Sequence, residues 1–328
     1  MPSLSFIADN GVLPKPAEPE RAQRELDMWR QEAGARSAGD AELAQFMTDL
    51  ADHDDGRAFL QAIFGNSPFL SQGLRHDPAI LREVSRHGFD RTFEDMLAAL
   101  AGEPLWRHGK VEVMSGLRLA KRSVALTIAM ADIAGAWPLE KVCRSLSQFA
   151  EMSISIALNF LLMQAHKSGQ LQLADPENPE SGSGVVVLGM GKLGARELNY
   201  SSDIDLLVLF DGEKVDYLGG DGPQQGLHRM VWELVTLLSE RSADGYVFRT
   251  DMRLRPDPGA TPLAVSTAAA EQYYESLGQN WERAAMIKAR PVAGDMDVGN
   301  QFLSRLVPFV WRKYLDFAAI EDIHSIKR

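Results

Sequence analysis

The feature of this sequence that most restricts its fold is the stretch from Val185 to Phe210, VVVLGMGKLGARELNYSSDIDLLVLF. Val185–Leu188 is a β-branched apolar run and Ile204–Phe210 is a second one, so both are expected to be buried strands. About a dozen residues separate Gly191 from Asp203. That length decides between two topologies. A parallel second strand needs a crossover of a dozen or more residues, usually through a helix, whereas an antiparallel strand needs only a turn. In the parallel case Gly189, Gly191 and Gly194 would form a dinucleotide-type turn, with Asp211 at about the distance of a ribose-binding acid. Asp203 and Asp205 would then lie at the wrong end of the sheet, away from the carboxyl ends of its strands. In the antiparallel case the second strand begins beside the glycine turn. Asp203 and Asp205, alternate residues, then point to one face.

The antiparallel arrangement is the expected one, and it implies chemistry. Two carboxylates on one face beside a glycine loop make a site of oxygen donors, which suits Mg²⁺ or Mn²⁺ with phosphates completing the shell. The backbone N–H groups around Gly189, Gly191, Lys192 and Leu193 would hold phosphate oxygens at a helix start. Further along, Tyr246 to Leu254 alternates in side-chain character and predicts a strand with Asp251 in its middle. Asp251 is a third candidate carboxylate, with Arg253 and Arg255 on its face. Carboxylates, divalent metal and a phosphate-holding turn are the parts that in-line nucleotidyl transfer requires. Lys288 and Arg290 in MIKARP are further candidates for cationic contact with phosphate. Each residue also has an ordinary reading. Asp203 can cap a turn, Asp205 can solubilise a sheet edge, and the three glycines can serve tight packing. Lys192, Arg253 and Arg255 can be solvated. Asp251 tips the carboxylates toward metal binding. Glu282, beside Trp281, is read as a structural ion-pair member.

Composition limits the alternatives. A net charge of −11 over 328 residues lacks the basic footprint of a general nucleic-acid binder, so no nucleic-acid partner is expected. The single cysteine, Cys143, allows no internal disulfide, and the N-terminus shows no signal-peptide pattern; a cytoplasmic protein is expected. The most apolar stretch, Ile154–Met163, is about half a membrane span and reads as a buried helix, so no membrane partner is expected.

The motifs GMGKLGARELNYSSDIDLLVLF, FRTDMRLRP and YYESLGQNWERAAMIKARPVAGD resemble the DNA polymerase β-like nucleotidyltransferase superfamily and, within it, the glutamine synthetase adenylyltransferase/adenylyl-removing family. The segment from Leu117 to Glu151 is similar to the helices that precede that family's first catalytic domain. The wording resembles the N-terminal, adenylyl-removing half, and no second Gly-Lys-Leu-Gly and Ser-Asp-x-Asp set is present. The resemblance implies removal of AMP from adenylyl-tyrosyl glutamine synthetase by orthophosphate, giving ADP. It implies metal ligation by Asp203, Asp205 and Asp251. Phosphate or nucleotide contacts are assigned to Gly189, Gly191, Lys192, Leu193, Ser202, Arg253, Arg255, Lys288 and Arg290. The cofactor is Mg²⁺ or Mn²⁺, and the partners are adenylylated glutamine synthetase and the PII signalling protein. The alternatives are a catalytically silent module responsive to nucleotide or PII, AMP transfer from ATP, and a Rossmann oxidoreductase.

The expected fold class is α+β. An irregular tail at 1–19 leads to an all-helical domain at 20–168, and a linker at 169–184 follows. A mixed sheet with flanking helices forms the catalytic domain at 185–295, and 296–328 begins a further helical region. Asp90 is expected to cap a helix, and two long helices are expected on either side of Gly135–Pro138. The ending AIEDIHSIKR carries no terminating signal and reads as continuing into a longer chain.

Overall fold

The computed structural model describes residues 12–102 and 104–311. The first eleven residues of the expected tail, and the final part of the expected C-terminal region, lie outside the described residues. The chain divides into two compact units. The first holds the residues up to 103 with Leu119–Leu146, and the second holds Pro104–Arg118 with the residues from Ser147 onward.

The first unit is helical. It contains α1 (Pro19–Arg36), α2 (Ala41–Asp52), α3 (Asp54–Asn66), α4 (Pro68–His76) and α5 (Ala79–Gly102). It also takes the later part of α6 (Lys110–Ile133) and the start of α7 (Leu139–Lys167). Helix starts follow capping chemistry: the side chains of Asp40 and Ser67 accept from the N–H groups of Leu43 and Leu70. Trp29, wholly buried, donates from its indole to the Met47 carbonyl at 2.9 Å and packs against Phe64. The break in α5 falls at Gly88, at φ 79°, rather than at Asp90. Asp90 instead accepts from the Trp137 indole at 2.8 Å and from Lys141, while Phe89 and Phe93 meet the Trp137 ring edge-on. Glycine alone tolerates the left-handed backbone that this bend requires.

The second unit is built on a five-stranded mixed sheet. In chain order it contains β1 (Leu171–Gln172), β2 (Val185–Gly189), α8 (Gly191–Gly194), β3 (Ile204–Phe210), β4 (Asp216–Tyr217) and α9 (Pro223–Ser239). Then follow β5 (Thr250–Asp251), β6 (Ala264–Ser266), α10 (Thr267–Ser276), α11 (Asn280–Met286), β7 (Arg290–Gly294), α12 (Met296–Arg305) and α13 (Val307–Val310). β2 lies between β3 and β7 and is antiparallel to both. β5 and β6 run parallel to β3 and share its other edge, β5 at the start of β3 and β6 at its end. β1 and β4 pair separately. The full burial of Val185–Gly189 places cover on both faces of the strand, which is why its sequence does not alternate. One face packs Val186, Leu188, Leu207 and Leu209 with Tyr274, Phe302 and Phe309.

The antiparallel pairing of β2 and β3 is the topology expected from the short connection. It removes the dinucleotide reading, which needs parallel strands joined by a crossover. Two other expectations are corrected. The units do not divide at 169–184. From Ser147 onward α7 belongs with the sheet: Phe149 packs on Phe248 at 5.9 Å, and Glu151 pairs with Arg290. The segment 169–184 is tied down as well, through β1 and through the Glu180 carboxylate, which accepts from Ser155 at 2.9 Å. The apolar window of α7 has mean hydropathy 1.3 and is 78% buried within the protein, which is the character of a core helix.

The predicted strand Tyr246–Leu254 shrinks to Thr250–Asp251. Its apparent alternation is misleading, because neighbours Val247 and Phe248 are both buried. Their N–H groups both bond the Leu238 carbonyl, at 2.9 and 3.0 Å, so they close the end of α9 instead of extending a ladder.

Candidate active site

The site forms where β2 turns into β3. Gly189 ends β2, Met190 caps the single turn α8, and the chain returns through residues 195–203. The Met190 N–H donates to the Asp205 carbonyl at 2.9 Å, which fixes the turn against the start of β3. Gly191 sits at φ 53°, and a Cβ there would come 2.8 Å from Asp205 Oδ2. The backbone therefore lies directly against the carboxylate. Gly194 answers a different need: its missing side chain lets the Lys288 carbonyl approach, since a Cβ would stand 1.9 Å from that oxygen.

The return segment is prepared for Asp203. Leu198 is buried and its N–H donates to Ser147 Oγ at 3.3 Å. Asn199 Oδ1 accepts from the Ser201 N–H at 3.3 Å and from the Ser202 hydroxyl at 2.7 Å, an Asx turn immediately before the strand. Ser202 is thus committed to Asn199. Asp203 meets Arg249, whose Nε lies 2.5 Å from Oδ1. The same guanidinium donates to the Ser201 carbonyl at 2.8 Å and to the Tyr246 hydroxyl at 3.3 Å. Sequence reasoning missed Arg249, although the alternation from Tyr246 to Leu254 put it on the face of Asp251.

Asp205 stands in register with Asp251 across the parallel β3–β5 pair. Residues paired in this way project to the same face. Burial first, and then the charges of Asp251 and Asp203, hold the Asp205 carboxyl above its ordinary range; Arg253 and Lys192 offset this in part. Asp251 moves the other way, because hydrogen bonding from Arg253 favours its charged form. The two neighbours differ because Arg253 turns its fork onto Asp251 alone, with Nε 2.9 Å from Oδ2 and 3.0 Å from Oδ1.

The other predicted cations lie elsewhere. Arg255 donates to the carbonyls of Met252 at 2.7 Å, Pro258 at 2.7 Å and Thr261 at 3.3 Å, so it organises the loop after β5. Arg290 reaches the carbonyls of Gly194 at 3.1 Å and Leu193 at 3.3 Å and pairs with Glu151. It caps the C-terminal end of α8, where orphan carbonyls attract a cation. Lys288 pairs with Glu197 at 2.7 Å. Leu193 has a buried side chain, so only its backbone faces the turn. Glu282 is buried and accepts from the Gln279 N–H at 2.7 Å, so it caps α11 rather than joining an ion pair.

The donor set at the turn is all oxygen. Among the described residues no three His, Cys, Asp or Glu side chains converge at metal-binding spacing. The three carboxylates differ in their partners: Asp203 pairs with Arg249, while Asp205 and Asp251 lie in register across β3 and β5. Two carboxylates suffice for Mg²⁺, which usually takes one or two together with waters and substrate phosphates. Asp205 and Asp251 lie in register, two carboxylates whose charges act on one another and which a divalent cation would draw together, so these residues fit the ion.

With this geometry in place, the comparisons decide the family. The model for glutamate-ammonia ligase adenylyltransferase matches residues 58–305. The chain belongs to that family. It is similar to the bifunctional glutamine synthetase adenylyltransferase/adenylyl-removing enzyme of Rhizobium meliloti (strain 1021), at 46% identity over 99% of this chain and 33% of the relative. The enzyme of that description from Agrobacterium fabrum is 47% identical over 85% of this chain and 29% of its own length. The one from Rhodopseudomonas palustris (strain HaA2) is 43% identical over 99% of this chain and 32% of its own length. The chain thus spans about a third of the length of these relatives. The family match takes in the turn, β3, β5 and the cations around them.

Proposed function

We propose that this chain carries the adenylyl-removing activity: orthophosphate attacks the AMP phosphorus of adenylyl-tyrosyl glutamine synthetase, the bond from phosphorus to the tyrosyl oxygen breaks, and ADP and the free tyrosine result. The observation that carries this reading is Asp205 in register with Asp251, directly against the Gly189–Gly191 turn. Family membership and the adenylyltransferase and adenylyl-removing activities named for its relatives support it. So does the Glu197–Asp203 wording, which resembles the removing half. On this reading the domain belongs to the DNA polymerase β-like nucleotidyltransferase superfamily.

Asp205 and Asp251, with Asp203 beside them, would hold Mg²⁺ or Mn²⁺. The bound ion supplies charge neutralisation at the AMP phosphate and at the departing phenolate. The backbone N–H groups at the start of α8 receive phosphate oxygens, since a helix start leaves them without intrahelical partners. Lys192 and Arg253, whose charges already act on Asp205, offset the repulsion between incoming orthophosphate and AMP. Arg255 and Arg290 hold the loop and turn that frame the site. The phenolate, of ordinary pKa about 10, is a tolerable leaving group and takes its proton from solvent. The same reading assigns adenylylated glutamine synthetase as protein substrate, the PII signalling protein as regulator and the cytoplasm as compartment.

The test is incubation with adenylylated glutamine synthetase, Mg²⁺ and orthophosphate while measuring ADP. Phosphate-dependent ADP release is the expected result. Release of AMP without a phosphate requirement, or transfer of AMP from ATP onto unmodified glutamine synthetase, would overturn the assignment.

A further inference from the structure

Both oxygens of Asp251 are already engaged. The Arg253 backbone N–H donates to Oδ1 at 2.8 Å, its Nε reaches Oδ1 at 3.0 Å and Oδ2 at 2.9 Å, and its Nη2 also bonds Oδ2. A carboxylate offers about four lone-pair positions, so the arginine takes most of them. Magnesium needs such a lone pair at about 2.0–2.1 Å, inside the N–H···O distance. Guanidinium and cation therefore compete for the same oxygens.

The two arginines beside the carboxylates differ in how firmly they are held. Arg249 is tied to a carbonyl and a hydroxyl as well as to Asp203. The Arg253 side chain is 84% exposed, and Asp251 is its only hydrogen-bonding partner among the described residues. It can leave by rotating its own bonds. The backbone beneath it stays fixed, because Arg255 clamps the loop through the carbonyls of Met252, Pro258 and Thr261.

We propose that Arg253 is the resident counter-ion of this site: it closes Asp251 until a divalent cation displaces it, and its released guanidinium then turns to the phosphate-bearing ligand. The cation consequently binds before phosphate, and the two reinforce each other. The proposal rests on the reading above that Asp205 and Asp251 hold the metal.

The experiment measures Mn²⁺ affinity by electron paramagnetic resonance of the free aqua ion, without protein substrate, for the unsubstituted chain, Arg253→Ala and Asp251→Asn. A melting curve for each sample checks folding, which an exposed arginine leaves intact. Arg253→Ala is expected to bind Mn²⁺ about three- to fivefold more tightly, the size expected on removing an exposed ion-pair competitor. Asp251→Asn is expected to bind it more weakly. Orthophosphate should tighten Mn²⁺ binding in the unsubstituted chain and lose that effect in Arg253→Ala. Unchanged or weaker binding in Arg253→Ala overturns the counter-ion role while leaving the metal site standing. No Mn²⁺ binding by the unsubstituted chain at millimolar concentration overturns the metal reading itself, and the counter-ion role falls with it.

Discussion

Replacing Gly191 by alanine separates damage to the site from damage to the fold. Gly191 sits at φ 53°, and holding an L-residue in that left-handed region costs about 1–2 kcal/mol. The added Cβ would stand 2.8 Å from Asp205 Oδ2, with no other atom but Asp205 Cγ within 4 Å. The obstruction is the end of a half-buried side chain, so the fold adapts by pushing Asp205 aside. The expected loss is therefore the backbone term alone. For a unit of about 150–250 residues that lowers the melting midpoint by about 2–8 °C. The site loses more, because Asp205 moves out of register with Asp251; Mn²⁺ affinity should fall by about 10–100-fold. Gly194→Ala is the contrast. There the Cβ would stand 1.9 Å from the Lys288 carbonyl oxygen and 2.5 Å from that of Gly189. Both are backbone atoms that no rotamer change can move, so the cost reaches about 3 kcal/mol or more. Circular-dichroism melts and Mn²⁺ titrations on the same samples test both. A Gly191→Ala protein with unchanged metal affinity would refute the argument, as would a Gly194→Ala protein more stable than Gly191→Ala.

Asp205→Asn should raise stability while removing activity. Burial and the neighbouring carboxylates raise the Asp205 pKa in the folded chain. The stabilising contribution of such a group is complete below its unfolded value, near 3.8, and is lost as pH rises through the folded value. At pH 7 the ionised Asp205 is therefore a cost, and the variant should melt higher than the parent, with the gain shrinking toward pH 4, while turnover drops about 100-fold or more. A melting midpoint below that of the parent at pH 7 would contradict this. Arg118, buried, donates to the carbonyls of Gly245 at 2.9 Å, Met114 at 2.8 Å and Glu240 at 2.5 Å. Arg118→Ala leaves those carbonyls without donors and should cost about 3 kcal/mol, or about 6–12 °C. A midpoint within about 2 °C of the parent would show that water replaces the guanidinium without loss.

The sequence by itself determined the topology at the site. Only about a dozen residues lie between Gly191 and Asp203, little room for a crossover helix, and a parallel pair would leave Asp203 and Asp205 at the wrong end of the sheet, so β2 and β3 were expected to be antiparallel with Asp205 beside the glycine turn. The helices on either side of Gly135–Pro138 were likewise legible, since apolar spacing and helix breakers are local signals. The structure decided which partners those residues found. Nothing in FRTDMRLRP distinguishes an arginine facing Asp251 from one facing three carbonyls. That depends on where the loop after β5 folds back, and it turns Arg253 toward the carboxylate and Arg255 into a clamp. The strand around Asp251 was overread because alternation counts side-chain character and cannot register that Val247 and Phe248 both close the end of α9. Arg249 was missed for a different reason: its contact with Asp203 joins two segments far apart in sequence. Arg290, read as a phosphate contact, instead caps a four-residue helix made by residues nearly a hundred positions earlier. Local sequence sets backbone choices through sterics and hydrogen-bond patterns within a few residues. The pairing of long, flexible charged side chains is set by distances between segments, and only the assembled tertiary structure fixes those.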